Sequence, residues 1–450
     1  MKLSLLSASL LSLTPALILP THAAITIPGA NGSDGALNIT QDTVIDLSKA
    51  TTGKWDDNNS ANAGNGVYDP EKWAVVFKYT SVNVLAGKKL TFKNHATRAP
   101  VVWLVSGNVT IAGTVDLSGE SYAAAGITFH PTSQPLGGRL AEPGPGGFRG
   151  GAAWRGGDVR QAPGFGPGGG TSGASGFDSG PNAPKSGSYG PGNGVAYGNP
   201  SLIPLIGGSG GGGGQLEPFP NAGTYGWGGG GGGGAILIGA SGSVFIESGA
   251  SVSALGGNGF PGAGSGGGVR VVCTDLLGAG SISAAGGNSF GSNTPGSIGR
   301  VRIERVATSS ALTVTPAPST VDLIDGATAQ IWPPSGAPEA RIVSVNQIQA
   351  PADPNSMFGA YTPDVVLPLV SSVNVIVETI NVENNSGTKV IVRVNPRNGM
   401  TINGSIVRNA TEVNATIKEV VSEVPLKLRW EATVPTLPGY SAIQARIVRP

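Results

Sequence analysis

Residues 101–119, VVWLVSGNVTIAGTVDLSG, decide the fold. They read as three short strands with glycine turns between them. Val109 and Ile111, then Val115 and Leu117, alternate with polar residues, the period of a strand that buries one face. Laid against the rest of the chain, the pattern recurs. Copies begin at Val75, Ala235 and Val269, and a fifth, partial one begins at Val301, so the first strands are spaced 26, 134, 34 and 32 residues apart. An earlier unit, LNITQDTVIDLS at 37–48, reads as a capping coil. Three alternating strands per unit with Gly at the corners is what a parallel β-solenoid requires, each strand pairing with its equivalent one coil away at about 4.8 Å. A β-sandwich or a set of hairpins is the competing architecture. The equivalence of the units favours the solenoid.

The 134-residue spacing implies an insertion at 121–234, and composition says what fills it. Of 74 glycines in 450 residues, 56 fall between 131 and 300, in runs such as GPGGFRGG, GPGGG and GWGGGGGGGAILI. No strict Gly-X-Y period runs through them, which excludes collagen. Flanks rich in Val and Ile, with 12% charged residues overall, exclude a simple disordered chain. A structureless loop of this length inside a domain is uncommon. Either the insertion is a mobile lobe, or its glycines form extended polyproline-II-type strands that pack side by side because no side chain separates them. Aromatics scattered among the glycines either hold such a lobe together or offer flat faces to sugar rings. Trp154, Phe165, Tyr189, Tyr197, Tyr225 and Trp227 are the candidate ligand contacts.

From about 310 onward Gly becomes rare and alternating strands appear at 340–345, 373–382, 388–394, 401–407, 424–432 and 441–448. Their turn signals suggest an antiparallel sandwich, immunoglobulin-like in architecture but without a Cys pair. The expected organisation is a signal peptide at 1–24, a β-solenoid at 25–306, a Thr/Ser/Pro linker at 307–320 and a sandwich at 321–450.

Lys2, an apolar run to Leu19 and the small residues Ala23 and Ala24 describe a secretory signal peptide, so the expected location is outside the cell or on its surface. No later stretch is apolar for long enough to span a membrane as a helix. Net charge is +1, and it falls to about zero once Lys2 is removed, so nucleic acid is not an expected partner. The single Cys273 reads as a buried, inert thiol.

Catalytic chemistry is hard to find. Gly207-Gly208-Ser209-Gly210-Gly211 matches a nucleophile-elbow pattern, but no His follows it, and such a match comes easily in a Gly/Ser run. Asp56, Asp57 and Asp69 supply hard oxygen ligands that could take Ca²⁺, though a solvated Asn/Asp turn is favoured and no cofactor is otherwise implied. Asp116, Glu120, Glu142 and Asp158 are the carboxylates a sugar-cleaving site would draw on.

The segments YTSVNVLAGKKLTF, APVVWLVSGNVTIAGTVDLSG, GPGGFRGG, YGNPSLIPLIGGSGGGGG and GGGGGGGAILI resemble those of secreted, glycine-rich bacterial proteins with a pectate-lyase-like right-handed β-helix. More loosely, the glycine tracts resemble phage receptor-binding tips built on polyglycine helices. The first resemblance covers 75–305 and implies a right-handed parallel β-helix shared by polysaccharide lyases, adhesins and phage tail proteins. No lyase Ca²⁺-binding aspartate or catalytic Arg or Lys falls on a matching position. The expectation is therefore a non-enzymatic, adhesin-like surface or extracellular-matrix protein. Its insertion would bind extracellular polysaccharide or a cell surface, or self-associate. A polysaccharide-degrading enzyme and a purely structural, fibre-forming protein are the alternatives.

Overall fold

A computed structural model describes residues 22–57, 64–122, 140–151, 164–169, 197–215, 226–259, 262–289, 295–352, 363–396, 400–402, 405–407, 411–436 and 441–449. The chain is all-β. Its repeat units pair in parallel, residue for residue, along three ladders. In the first, Ala74–Tyr79, Val101–Val105, Ala235–Ala240, Gly268–Gly278 and Arg300–Ser310 follow one another, so that Val75, Val101, Ile236, Val269 and Val301 are successive partners. The second joins Ala36–Ile39, Ser81–Val84, Val109–Ile111, Ser243–Ile246 and the second halves of the two long strands. The third runs Thr43–Asp46, Lys89–Lys93, Thr114–Asp116, Ser251–Ser253, Ser281–Ser283 and Thr313–Thr315.

One apolar column fills the space between the ladders. Phe77, Trp103, Ile238, Val271 and Ile303 lie in it one above another, and Leu90, Val115, Val252 and Ile282 face them from the third ladder. In-register stacking is why these positions are Val, Ile or aromatic, since every rung buries the same face. The first ladder is covered outside as well. Ile25, Ile27, Ala329 and Ile331 pack on Val76, Val102, Leu237 and Val272, and Thr26 bridges Thr328. Both faces being buried explains why 74–79 and 101–105 are apolar almost throughout.

Two expected boundaries move. Residues 307–320, read as a linker, are mostly strand: the end of Arg300–Ser310, then Thr313–Thr315 and the start of Ser319–Asp322, which make the last rungs of the ladders. Pro316 and Pro318 fall between strands, where their missing N–H groups cost no ladder bond. The chain then continues across the first ladder to Trp332, whose ring lies 5.4 Å from Trp55, so the N-terminal unit runs past residue 321.

Beyond it stand two antiparallel sheets. One orders Ile348–Gln349, Glu339–Val345, Ser372–Ile380, Leu426–Pro435 and Thr416–Glu423; the other orders Thr411–Asn414, Lys389–Pro396 and Ser441–Val448. Val373, Val375 and Val377 share a core with Val390, Val392 and Trp430, whose indole N–H donates to Thr379 Oγ1 at 2.8 Å. Residues 401–407, expected as one strand, divide into Met400–Ile402 and Ser405–Val407, paired as a hairpin.

Candidate functional site

The glycine runs pack as extended strands beside the ladders, and Gly229–Gly234 lies at the centre of the arrangement. Its six consecutive N–H groups donate in turn to the carbonyls of Gly151, Gly262, Glu120, Phe148, Ser265 and Leu117, at 2.8–3.0 Å. Donation therefore returns to the same neighbour every third residue: Gly229 and Gly232 to 148–151, Gly230 and Gly233 to 262–265, Gly231 and Gly234 to 117–120. Three residues per turn with no internal hydrogen bond is polyproline-II geometry. Carbonyls of the run accept from Gly211 and Gly208 (2.9 and 2.7 Å), from Gly257 (2.7 Å) and from Gly144 (3.0 Å). Six segments thus surround one glycine strand.

Glycine is required here by space. A Cβ on Gly230, Gly231, Gly232 or Gly233 would meet the carbonyl oxygen of Gly257, Glu142, Gly208 or Ala254 well inside contact distance. Of the two outcomes left open by the sequence, the described glycines follow the packed one. Nor do the described residues of the insertion pack apart from the ladders. Residues 254–257 and 262–267, which lead out of and into the ladder strands, are part of the same lattice.

Among the described residues, one set of hydrogen bonds borders the lattice. Tyr122 N–H donates to Asn258 O at 2.9 Å, Asn288 N–H to Asn258 Oδ1 at 2.8 Å, Gly151 N–H to Gly211 O at 2.8 Å and Gly262 N–H to Gly212 O at 3.1 Å, while Gln215 pairs with Gly226. These residues border 123–139, 152–163, 216–225 and 260–261, and Gly259, bridged to Ser289, leads to 290–294. The described residues that border these five stretches therefore lie along one hydrogen-bonded rim.

The aromatic candidates separate on this frame. Trp227 contributes its backbone to the pairing with Gly214 at the rim. Trp154 and Tyr225 lie outside the described residues, three positions after Gly151 and one before Gly226; Tyr189 is also outside them. Phe165 is buried, at 4% exposure, against Leu140 and Phe148, so its role is packing. Tyr197 is half-buried, and its hydroxyl donates to Gly207 O at 2.6 Å and accepts from Ser209 Oγ at 3.0 Å. Burial pushes this phenol up to about 12. Ser209, the residue of the nucleophile-like pattern, is buried, and its N–H donates to Ser265 Oγ at 2.7 Å.

Asp69, Asp116 and Glu142 have structural duties. Asp69 is buried and accepts from the N–H groups of Trp55 (2.9 Å), Glu71 (2.8 Å) and Lys72 (3.2 Å). Asp56 and Asp57 are exposed. The buried Lys78 ammonium donates to Asp57 O at 2.7 Å, so a cation already occupies this loop. Among the described residues no group of three or more His, Cys, Asp or Glu is arranged to hold a metal ion. Asp116 pairs with Lys89 at 2.7 Å; burial raises its pKa, but hydrogen bonds from Lys89 and Ser118 outweigh that and leave it below its usual value. Glu142 lies between Arg98 (3.1 Å) and Arg149 (2.6 Å), and its own N–H donates to Glu120 Oε2 at 3.0 Å. This Arg–Glu–Arg group, which the sequence did not single out, staples the lattice to the coil turn at Arg98. Asp158 is outside the described residues.

No known protein family, curated protein or solved structure matches the chain. Among the described residues no helix is long and apolar enough to cross a membrane.

Proposed function

We propose that this is an exported, non-enzymatic surface or extracellular-matrix protein of adhesin type, whose glycine lattice is a rigid mount for a binding or self-association end. The three parallel ladders are, on this proposal, the walls of a short right-handed β-helix, and the two C-terminal sheets an immunoglobulin-like sandwich. One observation carries it: every N–H of Gly229–Gly234 is bonded to a neighbouring segment, and the described residues that flank five further stretches of the chain are bonded along the lattice rim. Binding residues belong on connections held by a rigid frame. Trp154, Tyr225 and Trp227 sit in sequence at this rim, and aromatic faces suit sugar rings.

Export rests on the leader-like sequence of residues 1–24. Against the enzymatic alternative stand Asp116 and Glu142, each engaged with cationic partners that hold it in place. Co-sedimentation of the mature chain with insoluble polysaccharides and with whole cells, with an assay for released sugar ends, tests the proposal. Binding without release is expected. Release would transfer the role to an enzyme, and no binding together with concentration-dependent light scattering would leave a fibre-forming protein.

A further inference from the structure

The outer face of the five-stranded C-terminal sheet carries a groove of about 450 Å³, within the usual range for a ligand site. Its construction is specific. Arg341, Glu378, Arg429 and Glu419 are direct partners across four adjacent strands, a row of alternating charge. Each strand flanking the floor has a register shift at that level, between Ile342 and Ser344 on one side and between Ile417 and Glu419 on the other. A bulge re-aims side chains. Here Val343 and Ser344, and likewise Lys418 and Glu419, line the groove as consecutive residues, which a regular strand would send to opposite faces. Beyond the first bulge the chain turns through Asn346 and Gln347, both at positive φ (50° and 67°), and this brings Gln347 and Gln349 to the rim.

The charges are unequally satisfied. Arg429 bonds Glu378 at 3.3 Å and Glu419 at 2.7 Å, and Lys418 bonds Glu431 at 2.9 Å. Arg341, at the end of the row, is exposed and has no ion-pair partner among the described residues. The groove therefore offers one free guanidinium fork together with a hydroxyl and two amides, over a floor containing Ile376. A guanidinium fork matches a carboxylate in two parallel hydrogen bonds, and amides suit hydroxyl groups. No aromatic ring lines the groove, so a neutral sugar would find no stacking surface. A peptide would find little backbone pairing on a sheet face whose ladder bonds are already made between strands.

We propose that this groove binds a carboxylated polysaccharide, with Arg341 taking a uronate carboxylate and Ser344, Gln347 and Gln349 the neighbouring hydroxyls. The site is separate from the rim of the glycine lattice and stands or falls independently of it.

Calorimetric titration of the full mature chain with β-1,4-linked tetramannuronate, and with mannotetraose as the same backbone without carboxylates, tests this. Tetramannuronate should bind and mannotetraose should not. Arg341→Gln should weaken binding about tenfold or more with unchanged Tm, Arg341→Lys should fall between, and added salt should weaken the wild type. Undiminished binding by Arg341→Gln, equal binding of mannotetraose, or no binding of tetramannuronate would each overturn the site. Equal binding of tetraglutamate would overturn the sugar in favour of an acidic peptide. Loss of tetramannuronate binding in Trp154→Ala/Tyr225→Ala/Trp227→Ala, with Arg341→Gln unaffected, would move the ligand to the lattice rim.

Discussion

Arg270 and Glu304 form a buried ion pair between adjacent rungs of the first ladder, with Nη2 and Nε of Arg270 at 2.9 and 3.0 Å from Glu304 Oε1. Arg270 is 1% exposed, and its guanidinium also donates to Gln330 O at 2.6 Å, while Arg302 reaches the same Glu304 oxygen at 3.1 Å. On the preceding rungs the equivalent positions are Leu237 and Val102. The pair thus pins residues 329–331 to the ladder at a position where Leu237 and Val102 on the preceding rungs offer apolar contact alone.

Removing one member should cost far more than replacing both. Glu304→Ala leaves a buried guanidinium without its carboxylate, an expected loss of about 3–5 kcal/mol in urea denaturation. Arg270→Leu combined with Glu304→Val should recover most of it, because Leu237 and Val272 already serve at the equivalent positions one rung earlier. Equal destabilisation by the single and double variants would contradict this.

Two glycine substitutions separate lattice packing from backbone preference. Gly232→Ala places a methyl against the Gly208 carbonyl, where only backbone can yield. Ordinary overpacking costs about 1–3 kcal/mol, and this one should exceed it. At Gly87 the φ is +70° and nothing lies within 4 Å, so Gly87→Ala should cost only about 1–2 kcal/mol of left-handed strain. Thermal unfolding of the two variants gives the order directly.

Alkaline pH should destabilise the fold. Burial pushes the Cys273 thiol up to about 12 from 9.0, and the Tyr197 phenol up to about 12 from 10.0. Each native pKa lies above the unfolded one, so the stabilisation is complete below pH 9 and is lost as pH rises through 9–12. Cys273→Ala should flatten the lower part of that decline. In the native protein Cys273 should react with a thiol reagent no faster than the chain opens, because the group is fully buried.

Chelation of divalent cations should leave Tm unchanged. The three backbone bonds to Asp69 and the Lys78 ammonium beside Asp57 already meet that loop's charge and hydrogen-bonding needs. A fall in Tm with EDTA that Ca²⁺ restores would show that Asp56 and Asp57 hold a metal after all.

How much could be read beforehand follows from which interactions leave a period in the sequence. In-register stacking repeats its demand at every rung, so the units beginning at Val75, Val101, Ala235, Val269 and Val301 announced a parallel sheet, although the third unit stacks one residue later than read, with Ile236 on Val101. The cover on its outer face left a weaker sign. Ile25, Ile27, Ala329 and Ile331 come from distant segments, and only the nearly continuous apolar runs at 74–79 and 101–105 pointed to a second buried face. In the lattice the specificity lies in backbone groups, so residues 229–234 showed that close approach was possible without naming the six segments that make it. In sequence Arg341 is one arginine among many; two bulges and a hairpin turn set it at the end of a groove.

The most direct measurement compares the wild-type chain with Trp154→Ala/Tyr225→Ala/Trp227→Ala in co-sedimentation with the insoluble polysaccharides and cells that the wild type binds. We expect the variant to keep its Tm and stay in the supernatant, with no sugar ends released by either protein. A variant that sediments as well as the wild type would contradict a binding end at the rim of the glycine lattice.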